Sequence, residues 1–166
     1  MQSHNMNFQE KLLDSFIAFE QEVDLLNPIH KDRKDALKRF EELGFPSKKD
    51  ESWKYTSLKS LVQKDYSLYA KSETNVELND VKKYLLNDID SFKIVFIDGV
   101  YSPFLSKTTH DGKDICVLSA ALSKDKYKKR IKKYFNKVVP SSESLASLNT
   151  SYTKEGAYIY IPEGVC

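Results

Sequence analysis

Phe8, Leu12, Phe16, Phe19, Val23 and Leu26 follow one another at steps of four, four, three, four and three, with mostly polar residues between them. That spacing places all six on one side of a helix and predicts an amphipathic helix from Asn5 to Asn27. Asn27-Pro28 predicts the entrance to a second helix, with asparagine as cap and proline at the first helical position. Its inner face would carry Ala36, Leu37, Phe40 and Leu43, and Gly44 would supply the left-handed stop.

The stretch SKKDESWKYT, Ser47 to Thr56, sets four charged residues just before the chain's only tryptophan. Ser47 suits an N-cap, and Asp50 stands three residues on, where its side chain can reach back to the cap's amide. Asp50 and Glu51 also fall where the helix dipole favours negative charge. The charges thus form a capping device, and Trp53 is expected to be buried against the first two helices. Thr56 reads as a second N-cap, ahead of Leu58 and Leu61.

Residues 66–78 mix polar types and read as a surface connection, after which Asn79 or Asp80 caps a short helix through Leu86. The period then changes. FKIVFIDGVYSPFLS, Phe92 to Ser106, sets two β-rich runs around Asp98-Gly99, a strong two-residue hairpin signal. Pro103 ends the second strand or confines it to an edge. The loop TTHDGKD leads to ICVLS, Ile115 to Ser119, as a third strand. Tyr127, Ile131, Tyr134, Phe135 and Val138 then recur at helical spacing. After Pro140, Ser141 or Ser142 caps a helix carrying Leu145, Leu148 and Tyr152. AYIYIPEGV, Ala157 to Val165, alternates like a strand and closes on a Pro-Glu-Gly turn.

Charge changes this picture at one place. Lys124, Lys126, Lys128, Lys129, Arg130, Lys132, Lys133 and Lys137 stand against Asp125, a local balance of +7 in a chain of net charge +2. The simplest reading is a solvated face on a packed helix. The alternative is a phosphate-binding surface, although no aromatic is expected on the basic side, as single-strand stacking would want. With 166 residues, 40% of them hydrophobic and 30% charged, the chain belongs with globular rather than disordered sequences.

Candidate chemistry is sparse. His4, His30 and His110 are scattered, with no ligand spacing between them. Cys116 reads as a small core residue, and Cys166 stands without context; neither belongs to a CxxC pair, which favours a reducing, cytoplasmic setting. No phosphate-loop, dinucleotide or nucleophile-elbow motif occurs. A pocket around Trp53, Lys54 and Tyr55 would lack an acid–base pair. No run of residues is apolar enough to span a bilayer. The residues alone therefore assign no catalytic, cofactor-binding or metal-binding residue.

Three stretches taken together resemble the amino-terminal part of the SufD family, a subunit class of the SufBCD iron–sulfur cluster assembly complex. They are GFPSKKDESWKYTSL (Gly44–Leu58), IVFIDGVYSPFLS (Ile94–Ser106) and LASLNTSYTKEGAYIYIPEGV (Leu145–Val165). Ser57 departs from the family's usual proline, and Glu155-Gly156 from its Asp-Gly. The resemblance implies helical and mixed elements ahead of a right-handed parallel β-helix, pairing with SufB through that β-helix, and docking of the ATPase SufC further on. An iron–sulfur cluster and ATP would be handled by the parent complex, with no cofactor in this piece.

The expected fold class is accordingly α+β, a helical and mixed N-terminal domain with a small hairpin sheet. It would end at the first strand of a truncated right-handed β-helix. The expected divisions are 1–65 (helical), 66–140 (mixed, with hairpin and basic helix) and 141–166 (helix and first β-helix strand). The chain is read as a truncated piece of a non-catalytic scaffold subunit, without membrane association. SufB and SufC contacts would lie mostly beyond Cys166, and an unpaired strand at Ala157–Val165 could self-associate. The alternative is a small nucleic-acid-binding module using 124–137.

Overall fold

The computed structural model describes residues 7–64, 66, 76–86, 89–110 and 113–165. The expected helix start at Asn5, most of the 66–78 connection, His4 and Cys166 lie outside them. The chain divides into two compact units, Met1–Leu68 with Lys129–Lys154, and Tyr69–Lys128 with Glu155–Cys166.

In the first unit, α1 (Phe8–Glu22) opens on a reciprocal cap. The Glu10 amide donates to Asn7 Oδ1 at 3.0 Å, and the Asn7 amide donates to Glu10 Oε2 at 2.9 Å. Leu12, Phe16 and Phe19 are buried as the spacing predicts. The helix stops at Glu22, so Val23 and Leu26 fall in the exit turn, and Leu26 is exposed to solvent. The entrance to α2 (His30–Leu43) corrects the expected cap: the N-cap is Ile29, with no side-chain bond, and Pro28 precedes the helix. Asn27 instead closes the turn before it, its side chain accepting from the Ile29 amide and its carbonyl from the His30 amide. Gly44, at φ 66°, ends the helix and donates its amide to the Phe40 carbonyl at 2.8 Å.

Ser47 and Asp50 behave as expected, the Asp50 carboxylate accepting from the Ser47 amide at 2.7 Å. A single 3-10 turn, Glu51–Trp53, follows. The second cap is shifted: α3 (Lys59–Val62) takes a bond from the Lys59 amide to Ser57 Oγ, and Thr56 does not cap it.

The helix after Pro140, α7 (Ser144–Ser151), packs along α2, with Glu143 as its N-cap instead of Ser141 or Ser142. Its buried positions are Ser144, Ser147, Thr150 and Ser151, whereas Leu145 and Leu148 are only half-buried. A face of small side chains shortens the distance between helix axes, since that distance is set by side-chain size at the contact. Ser144 Oγ donates to the Gly44 carbonyl, and Arg33 Nε to the Thr153 carbonyl at 2.8 Å. Arg33 is 2% exposed and lies over the Phe19 ring; burial pulls its pKa down, with Asp24 opposing. Tyr152 packs on Phe16 and Phe19 and shares a 2.6 Å hydroxyl contact with Ser15.

In the second unit, α4 (Leu78–Lys82) is capped by Glu77, whose amide donates to Asp80. Strands β1 (Phe96–Ile97) and β2 (Val100–Tyr101) form the expected hairpin, with Asp98 at φ 49° and Gly99 at φ 82°. Both central residues are left-handed, as the tight hairpin turn requires. The strand β3 (Asp114–Val117) starts one residue earlier than expected and stops at Val117. Leu118 opens a short helix, α5 (Leu118–Leu122), where the Ser119 amide and hydroxyl both donate to the Glu155 carboxylate.

The strand β4 (Ala157–Tyr160) pairs antiparallel with β3, Asp114 opposite Tyr160 and Val117 opposite Ala157. This corrects the expectation of an unpartnered strand: β4 has a neighbour within the chain. Tyr158 faces inward, while Ile159 and Ile161 are exposed. Among the described residues the fold is α+β, helices together with two small antiparallel sheets.

Candidate functional site

The basic segment forms α6 (Asp125–Tyr134), which begins in the second unit and ends in the first. Tyr127 and Ile131 are buried as the stripe predicts, but Tyr134 and Val138 are 56% and 86% exposed. The helix stops at Tyr134, with Asn136 left-handed at φ 54°, so the stripe loses its register beyond the third turn. Tyr134 therefore stands in solvent with the Lys133 ammonium 4.9 Å from its ring centroid, which corrects the expectation of a basic side without aromatics. One ring is a single platform, whereas unsequenced strand binding uses several in succession.

In the second unit, several α6 groups converge on Asp114, which is 2% exposed. The Tyr127 hydroxyl donates to Asp114 Oδ1 at 2.6 Å, and Lys126 Nζ lies 3.5 Å from Oδ2. The Lys124 and Lys126 ammonium groups sit 5.7 and 5.2 Å from the Tyr127 ring centroid. His110 stacks on Tyr127, and Tyr158 lies 5.1 Å from it, centroid to centroid. Donation to a carboxylate, helped by burial and the Asp114 charge, pushes the Tyr127 phenol up to about 12. Burial pushes the Asp114 carboxyl up, but the Tyr127 bond and Lys126 outweigh it and hold it below the usual carboxylate value. Each group is held in the protonation state that suits the other, so the pair fixes α6 to β3 and offers no free base. Sequence reasoning missed Asp114, because one buried carboxylate at a strand's first residue leaves no periodic signal.

The basic face is also partly neutralised, since Lys128 pairs with Asp125 at 3.1 Å. Trp53 is half-buried, a correction to the expected core position. It walls a shallow groove with Leu43, Pro46 and Ser144, and Asp50, Glu51 and Glu143 line the same groove. Tyr55 is 92% exposed, and Lys54 lies over its ring and 3.9 Å from Glu51. Trp53, Lys54 and Tyr55 do not converge on one pocket.

His30 Nε2 lies 3.1 Å from Glu20 in the first unit, and His110 stacks on Tyr127 in the second. Cys116 is buried in β3, and burial, opposed by Lys124, pushes its thiol up. Among the described residues no group of three His, Cys, Asp or Glu is placed to hold a metal. Nor is any helix among them long and apolar enough to cross a membrane.

The sequence itself matches a known class along nearly the whole chain. Residues 6–166 fit the SufBD protein N-terminal region, and the chain belongs to the SufB/SufD family. An iron–sulfur cluster assembly SufBD family protein of Synechocystis is 25% identical over 130 residues, 78% of this chain and 28% of that protein. The iron–sulfur cluster assembly protein SufD of Escherichia coli is 38% identical over 66 residues, 40% of this chain and 15% of that protein. The chain thus spans under a third of the length of either relative.

Proposed function

We propose that this chain is the N-terminal region of a SufD-type scaffold subunit of an iron–sulfur cluster assembly complex, and that it has no catalytic role of its own. The observation that carries the reading is the family match over residues 6–166, joined by the 38% identity to a SufD protein. In this reading the region binds no metal or nucleotide. SufB pairing and SufC docking belong to the longer protein, in a cytoplasmic SufBCD-type complex. The antiparallel β3–β4 pair would be the transition from this region into a right-handed parallel β-helix beyond it.

Affinity capture tests the reading. The full-length protein, tagged in its own host, is expected to bring down SufB- and SufC-type chains in stoichiometric amounts. Residues 1–166 alone should recover neither. A full-length protein that purifies free of both, or that turns over ATP without a SufC-type chain, would overturn the proposal.

A further inference from the structure

We propose that a cleft in the first unit binds a small zwitterion of the α-amino-acid type, a role that does not depend on the scaffold reading. The spacing of Asp32, Asp35 and Arg39, three and four residues apart, sets them on one face of α2. Opposite stand Lys137, Val139, Pro140 and Ser141 from the segment between α6 and α7, with Ser147 from α7 closing the cleft. The cleft encloses about 170 Å³, room for one small molecule and no more.

The Arg39 guanidinium carries the inference. Its Nε is buried and has no hydrogen-bond partner among the described residues. A buried charged donor without an acceptor is costly, and such groups in native proteins normally find an oxygen. Nor does any ion pair among the described residues engage Asp32, Asp35, Arg39 or Lys137. Two cations and two carboxylates therefore line one small cleft without neutralising one another.

That balance selects the ligand. A bare anion such as phosphate would gain Arg39 and Lys137 but face both carboxylates, and a bare amine would meet the reverse. A molecule with a carboxylate and an ammonium a few bonds apart satisfies both ends. Its carboxylate would accept from Arg39 and Lys137, in the charge-assisted geometry that guanidinium favours, and its ammonium would lie toward Asp32 and Asp35. Ser141 and Ser147 add hydroxyls, and Val139 and Pro140 offer apolar contact to a short side chain.

Titration of the isotopically labelled chain with serine, acetate, methylammonium and inorganic phosphate tests this, read at the Arg39 Nε–H and the amides of residues 136–147. Serine should give a saturable shift, with each of the other three at least tenfold weaker. Lys137→Gln, at an exposed position, and Asp35→Asn should each weaken serine at least tenfold while leaving distant amides unmoved. Arg39→Gln should abolish the shift, and the two exposed-site variants keep the test decisive if that variant misfolds. No shift with serine would overturn the proposal, as would acetate or phosphate binding as tightly as serine.

Discussion

Asp114 is buried as a charged residue because it has partners for both oxygens, and its pH dependence follows from them. Its folded pKa lies below the unfolded value of about 3.9. The stability it contributes is therefore present above about pH 4 and lost as pH falls through the folded value. Tyr127 is shifted the other way, from its ordinary value to about 12. Its contribution is whole below about pH 10 and lost as pH rises from there toward 12. In urea melts across pH, Tyr127→Phe should lower the midpoint at neutrality and remove the loss between pH 10 and 12. Asp114→Asn should flatten the acid limb as well. Alkaline limbs that superimpose for the wild type and Tyr127→Phe would show that the bond does not govern them. Trp53 supports a second prediction at this scale. A half-buried ring that walls a groove should cost about 1–2 kcal/mol on replacement by alanine, below the roughly 3–5 kcal/mol of a fully buried tryptophan. A larger loss in denaturant melts would return Trp53 to the core.

At the scale of elements, α2 and α7 show packing that hydrophobic spacing misreads. Leu145 and Leu148 invite assignment to the inner face, yet the helix turns Ser144, Ser147 and Ser151 toward α2. A larger side chain cannot enter so close a contact without shifting it. Ser151→Leu, though it adds apolar surface, should destabilise the chain by about 1–3 kcal/mol, as overpacking does. Thermal melts of Ser151→Leu beside Leu148→Ala check this; a more stable Ser151→Leu would mean that the interface has room. The β1–β2 hairpin is the opposite case. Asp98-Gly99 was legible because the turn's demand for left-handed residues is local and chemical. The glycine stop of α2 was legible for the same reason, whereas its start fell two residues after the expected Asn27 cap, and the inner face of α7 depends on which helix lies beside it.

For the whole molecule, the decisive feature is the pairing of β4 with β3, strands separated by three helices in sequence. It gives Tyr158 and Tyr160 backbone partners inside the chain, so their amides should exchange slowly. Hydrogen exchange across a concentration series should show protection at Tyr158 and Tyr160 that is the same at every concentration. Protection that grows with concentration would mean that the strand finds its partner in a second molecule. The family match covers both compact units and not one motif alone.

The sequence by itself determined the amphipathic α1, the Gly44 boundary, the Ser47–Asp50 turn, the hairpin and the family, since each rests on neighbours within a few residues or on a local signature. It misjudged the depth of Trp53, the side of α6 on which Tyr134 lies, the inner face of α7 and the partner of β4. It gave no sign of the Asp114–Tyr127 bond or of the buried Arg39 Nε, without a partner among the described residues. Those were decided by tertiary structure, because burial, pairing and an acceptor for a buried charge depend on residues distant in the chain, and spacing along one segment carries no record of them.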